Sequence, residues 1–341
     1  MSNANLTGAN LTGATLTGVE LIGANLSDAD LTNADLTNAN LKDADLTDAD
    51  LKGANLENAN LSDAYLSGAI LANAYLHGAD LTNANLSNAD LTNANLSNAD
   101  LEGTSLGGAN LKDAELSGAD LSGAILSNTD LSGAYMAGAR LAGTRSGGIT
   151  GTPKALPSNW QLIQGYLIGP HASLYGVDLT YTDLSGAKLT SAYLRDANLY
   201  GVNLSNADLT NANLKDAELH DAELTDANLT GAELEGADLM GTAITPIQIR
   251  SARSRRRVHL SGAELKGANL ARMDLRDADL SNAILKKANL KGTDLGGANL
   301  TNADLKDADL ENAELHRANL TGADLSYANL KKAKLYRANL T

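Results

Sequence analysis

The sequence contains no cysteine and no phenylalanine, and its 341 residues include only one tryptophan and four prolines. Without cysteine the chain cannot form disulfides, thiolate zinc sites or a thiol nucleophile. No apolar run is long enough to span a bilayer, and the first residues contain neither a basic nor an apolar signal segment. These absences predict a cytoplasmic protein without a membrane span.

Leucine, by contrast, recurs at every fifth position over most of the chain, and alanine lies two residues before most of these leucines. Two breaks divide the recurrence into three series. The series run from Leu6 to Leu141 with Met136 as the only substitute, from Leu174 to Ile244, and from Leu260 to Leu340.

The five-residue period excludes both an α-helix and a flat strand. On a helix, five residues advance about 500°, so successive leucines would lie about 140° apart. In a strand, an odd spacing would place successive leucines on opposite faces. We therefore expect the chain to turn a corner in every pentad, which keeps leucine and alanine inside. Gly, Asn and Asp two residues after each leucine suit such a corner, because they tolerate unusual turn dihedrals.

Segments such as ANLTG, ADLTN and AELSG resemble the A(D/N)LXX unit of the pentapeptide repeat family. The resemblance implies an all-β fold, a right-handed quadrilateral parallel β-helix (a solenoid) with four pentads per coil and about 15 coils. The two breaks add loop interruptions. The predicted regions are β-helix blocks at residues 1–141, 174–244 and 258–341, an interrupting loop with partial re-entry at 142–173, and an Arg-rich loop at 245–257.

No arrangement of residues in the sequence indicates catalysis. The five histidines are scattered, and no two of them have metal-ligand spacing. We therefore expect no catalytic residue, no metal site and no cofactor. The predicted function is a non-enzymatic interaction scaffold that presents surface ladders to a protein partner. Uncapped coils at the two ends also predict homo-association.

Acidic residues are concentrated in the first block. Residues 1–141 contain 18 acidic and 4 basic side chains, residues 174–244 contain 12 and 3, and residues 258–341 contain 11 and 12. One branch of the pentapeptide repeat family protects DNA gyrase by presenting a DNA-like acidic surface. The resemblance therefore implies an alternative function, a DNA mimic that binds a topoisomerase and inhibits or protects it. A solvated acidic face that keeps the coil soluble is the other interpretation.

Outward apolar residues are candidate contact sites for a protein partner. Some occupy the usually polar position before a repeat leucine, and others follow the first interruption, which contains Trp160 and Tyr166. That interruption either packs on the nearby tyrosines as a local clasp or forms a partner surface with them. The candidate protein-interaction residues are Tyr65, Ile70, Tyr75, Ile125, Tyr135, Tyr175, Tyr181, Tyr193 and Tyr200.

The second interruption, TPIQIRSARSRRRV at residues 245–258, is strongly basic. Its arginines can bind phosphates or acidic surfaces, or they can lie on carboxylates of the same coil. Direct contact with nucleic acid or anionic lipid is the less favoured interpretation. The candidate anion-contacting residues are Arg250, Arg253, Arg255, Arg256 and Arg257.

Overall fold

The computed structural model describes residues 1–341 and contains little regular secondary structure. Strands β1 (Gln161–Ile163) and β2 (Tyr166–Ile168) pair antiparallel, and one helix, α1, spans Pro246–Ser251. Almost all other residues follow a five-residue cycle of one isolated β-bridge and a two-residue turn, which makes an all-β solenoid. The chain divides into two compact units, Met1–Ser173 and Leu174–Thr341. None of the structure's helical segments has the length and hydrophobicity that a membrane crossing requires.

Parallel bridges join residues twenty positions apart in both units. Asn5 pairs with Asn25, and Asn25 pairs with Asp45. The N–H of Leu6 donates to the carbonyl of Asn25 over 2.7 Å, and the N–H of Asn25 donates to the carbonyl of Ala4 over 2.9 Å. Twenty residues make four pentads, so each turn of the coil has the four short sides that the family resemblance implies.

A hydrogen-bonded turn forms each corner. The N–H of Ala9 donates to the carbonyl of Leu6 over 2.9 Å, and Gly8 between them has a φ of +63°. Asn83 and Asp43 hold the same place in their pentads with a φ of +57° each. Left-handed backbone is the conformation that Gly, Asn and Asp adopt most readily. The predicted role of these three residue types at the corners is confirmed.

The residue before each leucine also closes its corner. The Oδ1 atom of Asp30 accepts the N–H of Thr32 over 3.0 Å, and the Oδ1 atom of Asn5 accepts the N–H of Thr7 over 3.1 Å. Carboxylate and amide oxygens accept the same bond, which explains why Asp and Asn interchange at this position. The hydroxyl of Thr32, followed by its N–H, lowers the pKa of Asp30, so this carboxylate is ionised at neutral pH.

Leucine and alanine side chains fill the interior of each unit. Leu26 and Ala24 are fully buried, and the same pattern repeats along the coil. Full burial of one leucine stabilises the fold by about 1.5–3 kcal/mol. Thr104 replaces one of the alanines, and its buried hydroxyl donates to the carbonyl of Leu81 over 2.9 Å. The substitution therefore leaves no unpaired polar atom at this position.

The first interruption belongs to the first unit. Arg145 pairs with Ser173, 28 residues later, so this turn of the coil contains extra residues that form the β1–β2 hairpin. Leu167 of β2 is buried in the core, and Trp160 packs against the same core. The ring of Trp160 lies on Gly169, where a Cβ atom would collide with it. The segment predicted as an interrupting loop with partial re-entry thus contains a hairpin that adds apolar contacts to the first unit.

The second interruption contains a helix where the sequence predicts only an Arg-rich loop. Thr245 caps α1: its N–H donates to the Oε1 atom of Gln248 over 2.8 Å, and its hydroxyl accepts the N–H of Gln248. The Nε2 atom of Gln248 donates to the carbonyl of Leu224 over 2.7 Å, which ties α1 to the coil. The ladder resumes at Ser254, which pairs with Glu233. These features correct the predicted loop at 245–257, because helix and ladder occupy part of it.

Candidate interaction surfaces

The candidates Tyr65, Ile70 and Tyr75 lie on three different sides of the first unit. Each belongs to a separate ladder of bridges. Both tyrosines are 56% exposed. One flat partner surface cannot cover all three residues, because they circle a single turn of the coil.

Two of these ladders carry a second apolar candidate. Tyr75 and Tyr135 share one ladder, three turns apart, as the four-pentad coil predicts. Tyr65 and Ile125 share another ladder with the same separation. At about 4.8 Å per turn, the members of each pair are about 14 Å apart. Four of the five candidates of the first unit therefore form two separated pairs, and Ile70 lies alone on a third ladder.

The four tyrosine candidates of the second unit lie in two ring clusters. Tyr175 and Tyr193 stack with ring centroids 6.0 Å apart and an interplanar angle of 22°. Tyr181 meets Tyr200 edge to face at 5.1 Å, and Tyr200 stacks on His220 at 5.4 Å. His220 is not among the contact residues predicted from the sequence, although its position twenty residues after Tyr200 places it on the same corner one turn later. We call Tyr175, Tyr181, Tyr193, Tyr200 and His220 the aromatic surface.

The corner backbone and a glycine set the position of Tyr181. Tyr181 has a φ of +54°, which is uncommon for a bulky residue. A Cβ atom on Gly201, twenty residues later, would lie 2.5 Å from the Cδ1 atom of the Tyr181 ring. The Tyr181 ring therefore occupies the space that a side chain at position 201 would take, at the equivalent corner one turn later.

Acidic groups and one arginine border the aromatic surface. The Nε atom of Arg195 lies 3.4 Å from the Oδ2 atom of Asp196. A hydrogen bond with the Tyr181 hydroxyl, together with the nearby Asp221 carboxylate, raises the pKa of Tyr200 to about 12. The Tyr200 phenol is therefore neutral and protonated at physiological pH. Aromatic rings with a mainly negative margin make up this surface.

The five arginine candidates divide into two sets. The Nη2 atom of Arg257 lies 3.3 Å from Asp216, and the Nη2 atom of Arg256 lies 3.9 Å from Asp277. These two side chains compensate carboxylates of their own unit. The set with no carboxylate oxygen within 4.0 Å is Arg250, Arg253 and Arg255.

The structure brings one histidine next to a serine hydroxyl. The Nδ1 atom of His77 lies 2.9 Å from the Oγ atom of Ser97, and that hydroxyl donates to the Oδ1 atom of Asn95 over 2.6 Å. A hydroxyl has one proton, so Ser97 accepts from His77 and does not give its proton to a base. This pair lacks the arrangement of an activated nucleophile. No group of three or more His, Asp or Glu residues is placed to hold a metal ion.

The repeat and its turn geometry also match a known family. A family model described as pentapeptide repeats matches in overlapping copies that together span residues 1–145, 172–242, 256–292 and 303–341. The chain belongs to the pentapeptide repeat family. A search of curated proteins finds no match to this pentapeptide repeat protein.

Solved structures of similar proteins include several members of this family. HetL, involved in heterocyst differentiation regulation in the cyanobacterium Nostoc sp. strain PCC 7120, is 28% identical over 99% of this chain and 89% of HetL, with a TM-score of 0.23. Rfr23 from the cyanobacterium Cyanothece 51142 is 30% identical over 39% of this chain and 91% of Rfr23, with a TM-score of 0.22. Full-length QnrB1, a plasmid-mediated fluoroquinolone resistance protein, is 15% identical over 91% of each chain, with a TM-score of 0.18. The assignment of this pentapeptide repeat protein rests on the match to the repeat model.

Proposed function

We propose that this protein is a non-enzymatic scaffold that binds a protein partner through the aromatic surface of its second unit. The observation that carries the proposal is the exposure of Tyr175 and Tyr181, which are 59% and 69% exposed although each ring contacts another aromatic ring. Tyrosine is enriched among the residues that contribute most to binding at protein interfaces. The two exposed tyrosine clusters that make up this surface are therefore the best-supported contact sites of the chain.

The rings of the aromatic surface are ordered before any partner binds. Tyr175 stacks on Tyr193, and the Tyr181 ring packs in the space that the missing side chain of Gly201 leaves free. A partner therefore does not have to immobilise these side chains, which reduces the entropic cost of association.

The charges around the rings indicate the chemistry of the partner. Residues 174–244 contain 12 acidic and 3 basic side chains, and Asp196 and Asp221 lie beside the rings. A complementary protein surface has an apolar centre with lysine or arginine at its margin. Association would then be faster at low salt, because exposed charges steer the encounter.

Quantitative capture of partners by the purified full-length chain tests the proposal. The variant carries Tyr175→Asn, Tyr181→Asn and Tyr193→Asn. Asparagine is compatible with the left-handed corner at 181, since other corners of this coil hold asparagine. We expect a protein retained by the wild-type chain to be lost by the variant.

A control variant carries Tyr327→Asn and Tyr336→Asn, which remove two exposed tyrosines outside the aromatic surface. This control should retain the partner, and both variants should have the wild-type circular dichroism spectrum. Equal retention by the wild-type chain and the aromatic-surface variant would contradict the proposal.

A second candidate function is mimicry of DNA by the first unit, which would bind a gyrase-type topoisomerase. Carboxylates stack on consecutive turns there, since Asp80 pairs with Asp100 and Asp100 pairs with Asp120. The Nη1 atom of Arg140 lies 3.0 Å from Asp120 and compensates the charge at this end of the line. The turns are about 4.8 Å apart, so these charges form a closely spaced line, as backbone phosphates do. This stacked line is the observation that favours the second candidate.

A gyrase supercoiling assay at two salt concentrations tests this candidate. The variant carries Asp80→Asn, Asp100→Asn and Asp120→Asn, which keep the corner hydrogen bond but remove three charges. DNA mimicry predicts salt-sensitive inhibition or drug protection that the variant loses. Identical effects of the wild-type chain and the variant would eliminate mimicry and leave the scaffold function.

We also infer that the coil is right-handed and has about fifteen turns in the whole chain. Parallel crossover connections are right-handed in about 98% of cases, which supports this hand. The turn number follows from the length of the repeat series.

A further inference from the structure

Residues of α1, of the segment after it and of a later turn of the coil form a small open pocket lined mainly by arginine. Its volume is about 190 Å³. Arg250 lies in the last turn of α1, Arg255 follows the helix, and Arg272 lies at a corner about one turn of the coil later. The lining residues, which we call the arginine pocket, are Arg250, Arg255, Ala271, Arg272 and Met273.

No carboxylate neutralises the arginines of this pocket within 4.0 Å. Asp274 is near Arg255, but its carboxylate accepts two bonds from Arg276, over 2.8 Å from Nε and 2.6 Å from Nη2. Burial, followed by the neighbouring charge of Arg250, lowers the pKa of Arg255. Positive charge is therefore concentrated here with no carboxylate oxygen within 4.0 Å, and Asp274 acts on Arg255 only from a greater distance.

Backbone carbonyls hold two of the guanidinium groups in place. Arg255 donates from Nε to the carbonyl of Ile249 over 2.9 Å and from Nη2 to the carbonyl of Arg250 over 3.2 Å. The Nη1 atom of Arg250 lies 3.3 Å from the carbonyl of Ala271. Each guanidinium has five N–H donors, so both groups retain donors for a further acceptor. The guanidinium groups of Arg250 and Arg255 are thus oriented before a ligand binds.

We propose that the arginine pocket binds a phosphate group of a small soluble molecule. A phosphate group balances the positive charge of the three arginines. It also accepts the paired hydrogen bonds that guanidinium groups donate. The volume exceeds the roughly 30 Å³ that one water occupies. Ala271 adds a small apolar contact for the carbon atoms that carry the phosphate. This site is separate from the aromatic surface and does not depend on the proposed scaffold function.

Calorimetric titration of the full-length chain with inorganic phosphate, at constant ionic strength, tests the proposal. We expect one saturable site per chain, with binding weakened about tenfold by Arg272→Asn. The matched control is Arg257→Asn, because Arg257 is also an exposed corner residue with positive φ but is paired with Asp216. Unsaturable binding, or equal weakening by both variants, would overturn the proposal.

Further measurements keep the test specific. Asparagine fits the left-handed corners at 257 and 272, so both variants should unfold at the wild-type midpoint. Arg255→Lys keeps the charge but removes the fork of donors, and we expect an intermediate loss of affinity. Vesicles that contain phosphatidic acid are used in one separate arm of the experiment. A DNA duplex is used in another. Binding of either one without competition by inorganic phosphate would overturn the proposal in favour of a membrane or nucleic-acid surface.

Discussion

The ring of Tyr181 lies over Gly201, one turn further along the coil of the second unit, so closely that Gly201 has no space for a side chain. Gly186 occupies another corner of the same unit with a φ of +69°, and an added Cβ atom there would meet nothing within 4 Å. Both glycines have left-handed backbone, and only Gly201 lies under an aromatic ring. Comparison of these two residues separates backbone strain from ring packing.

We predict that Gly201→Ala destabilises the protein more than Gly186→Ala does. The change at Gly186 costs about 1 kcal/mol of the free energy of unfolding, because alanine is strained in left-handed backbone. The change at Gly201 costs about 2 kcal/mol, because it also displaces the Tyr181 ring. Urea denaturation measures both costs. Equal losses would show that the ring contact contributes nothing.

The same substitution at two equivalent threonines should have opposite effects. Thr182 and Thr293 each lie three residues after a repeat leucine, where Val202 occurs in another pentad. The hydroxyl of Thr293 donates to the carbonyl of Leu270 over 2.8 Å, whereas the buried hydroxyl of Thr182 has no partner. Thr293→Val should lower the free energy of unfolding by about 1 kcal/mol, and Thr182→Val should raise it by about 1 kcal/mol. A change of the same sign in both variants would contradict this reasoning.

Acid should destabilise the coil through its bridge-position aspartates. Hydrogen bonds from Thr32 lower the pKa of Asp30, and those from Thr180 lower the pKa of Asp178, relative to the usual value of 3.8. The unfolded state then binds more protons, so this stabilisation is complete above pH 3.8 and is lost as the pH falls through the lowered pKa values. Asp30→Asn with Asp178→Asn keeps the acceptor oxygens and should flatten the acid limb of the stability curve. An unchanged acid limb would refute the role of these carboxylates.

One tyrosine should ionise late in an alkaline titration. The hydrogen bond with Tyr181 and the charge of Asp221 raise the pKa of Tyr200 from 10.0 to about 12. This contribution to stability is complete below pH 10 and is lost as the pH rises through the raised value. Ultraviolet absorbance of tyrosinate should show this late step in the wild-type chain. Tyr181→Phe should move the step to lower pH, and a step that stays in place would disprove the assigned cause.

The five-residue period and the residue types at its corners were sufficient to predict the local structure. Five residues fit neither a helix nor a flat strand, so inward leucines and positive φ at residues such as Gly8 and Asn83 followed directly. The sequence also contains a signal for helix α1, because Thr245, Pro246 and Gln248 have the pattern of a capping box with proline in the first turn. The number of sides per turn did not follow from the period, because hydrogen bonds between successive turns set it.

The sequence by itself determined the repeating unit, its corners and its leucine and alanine core, since these depend on interactions within a few residues. Only the tertiary structure decided which surface side chains meet. Tyr200 stacks on His220 twenty residues away, and Arg257 approaches Asp216 from 41 residues away. Stacking and charge compensation act through space, and the two interruptions change how many residues separate neighbours on adjacent turns. The sequence therefore identified the arginines but not which of them lack a carboxylate.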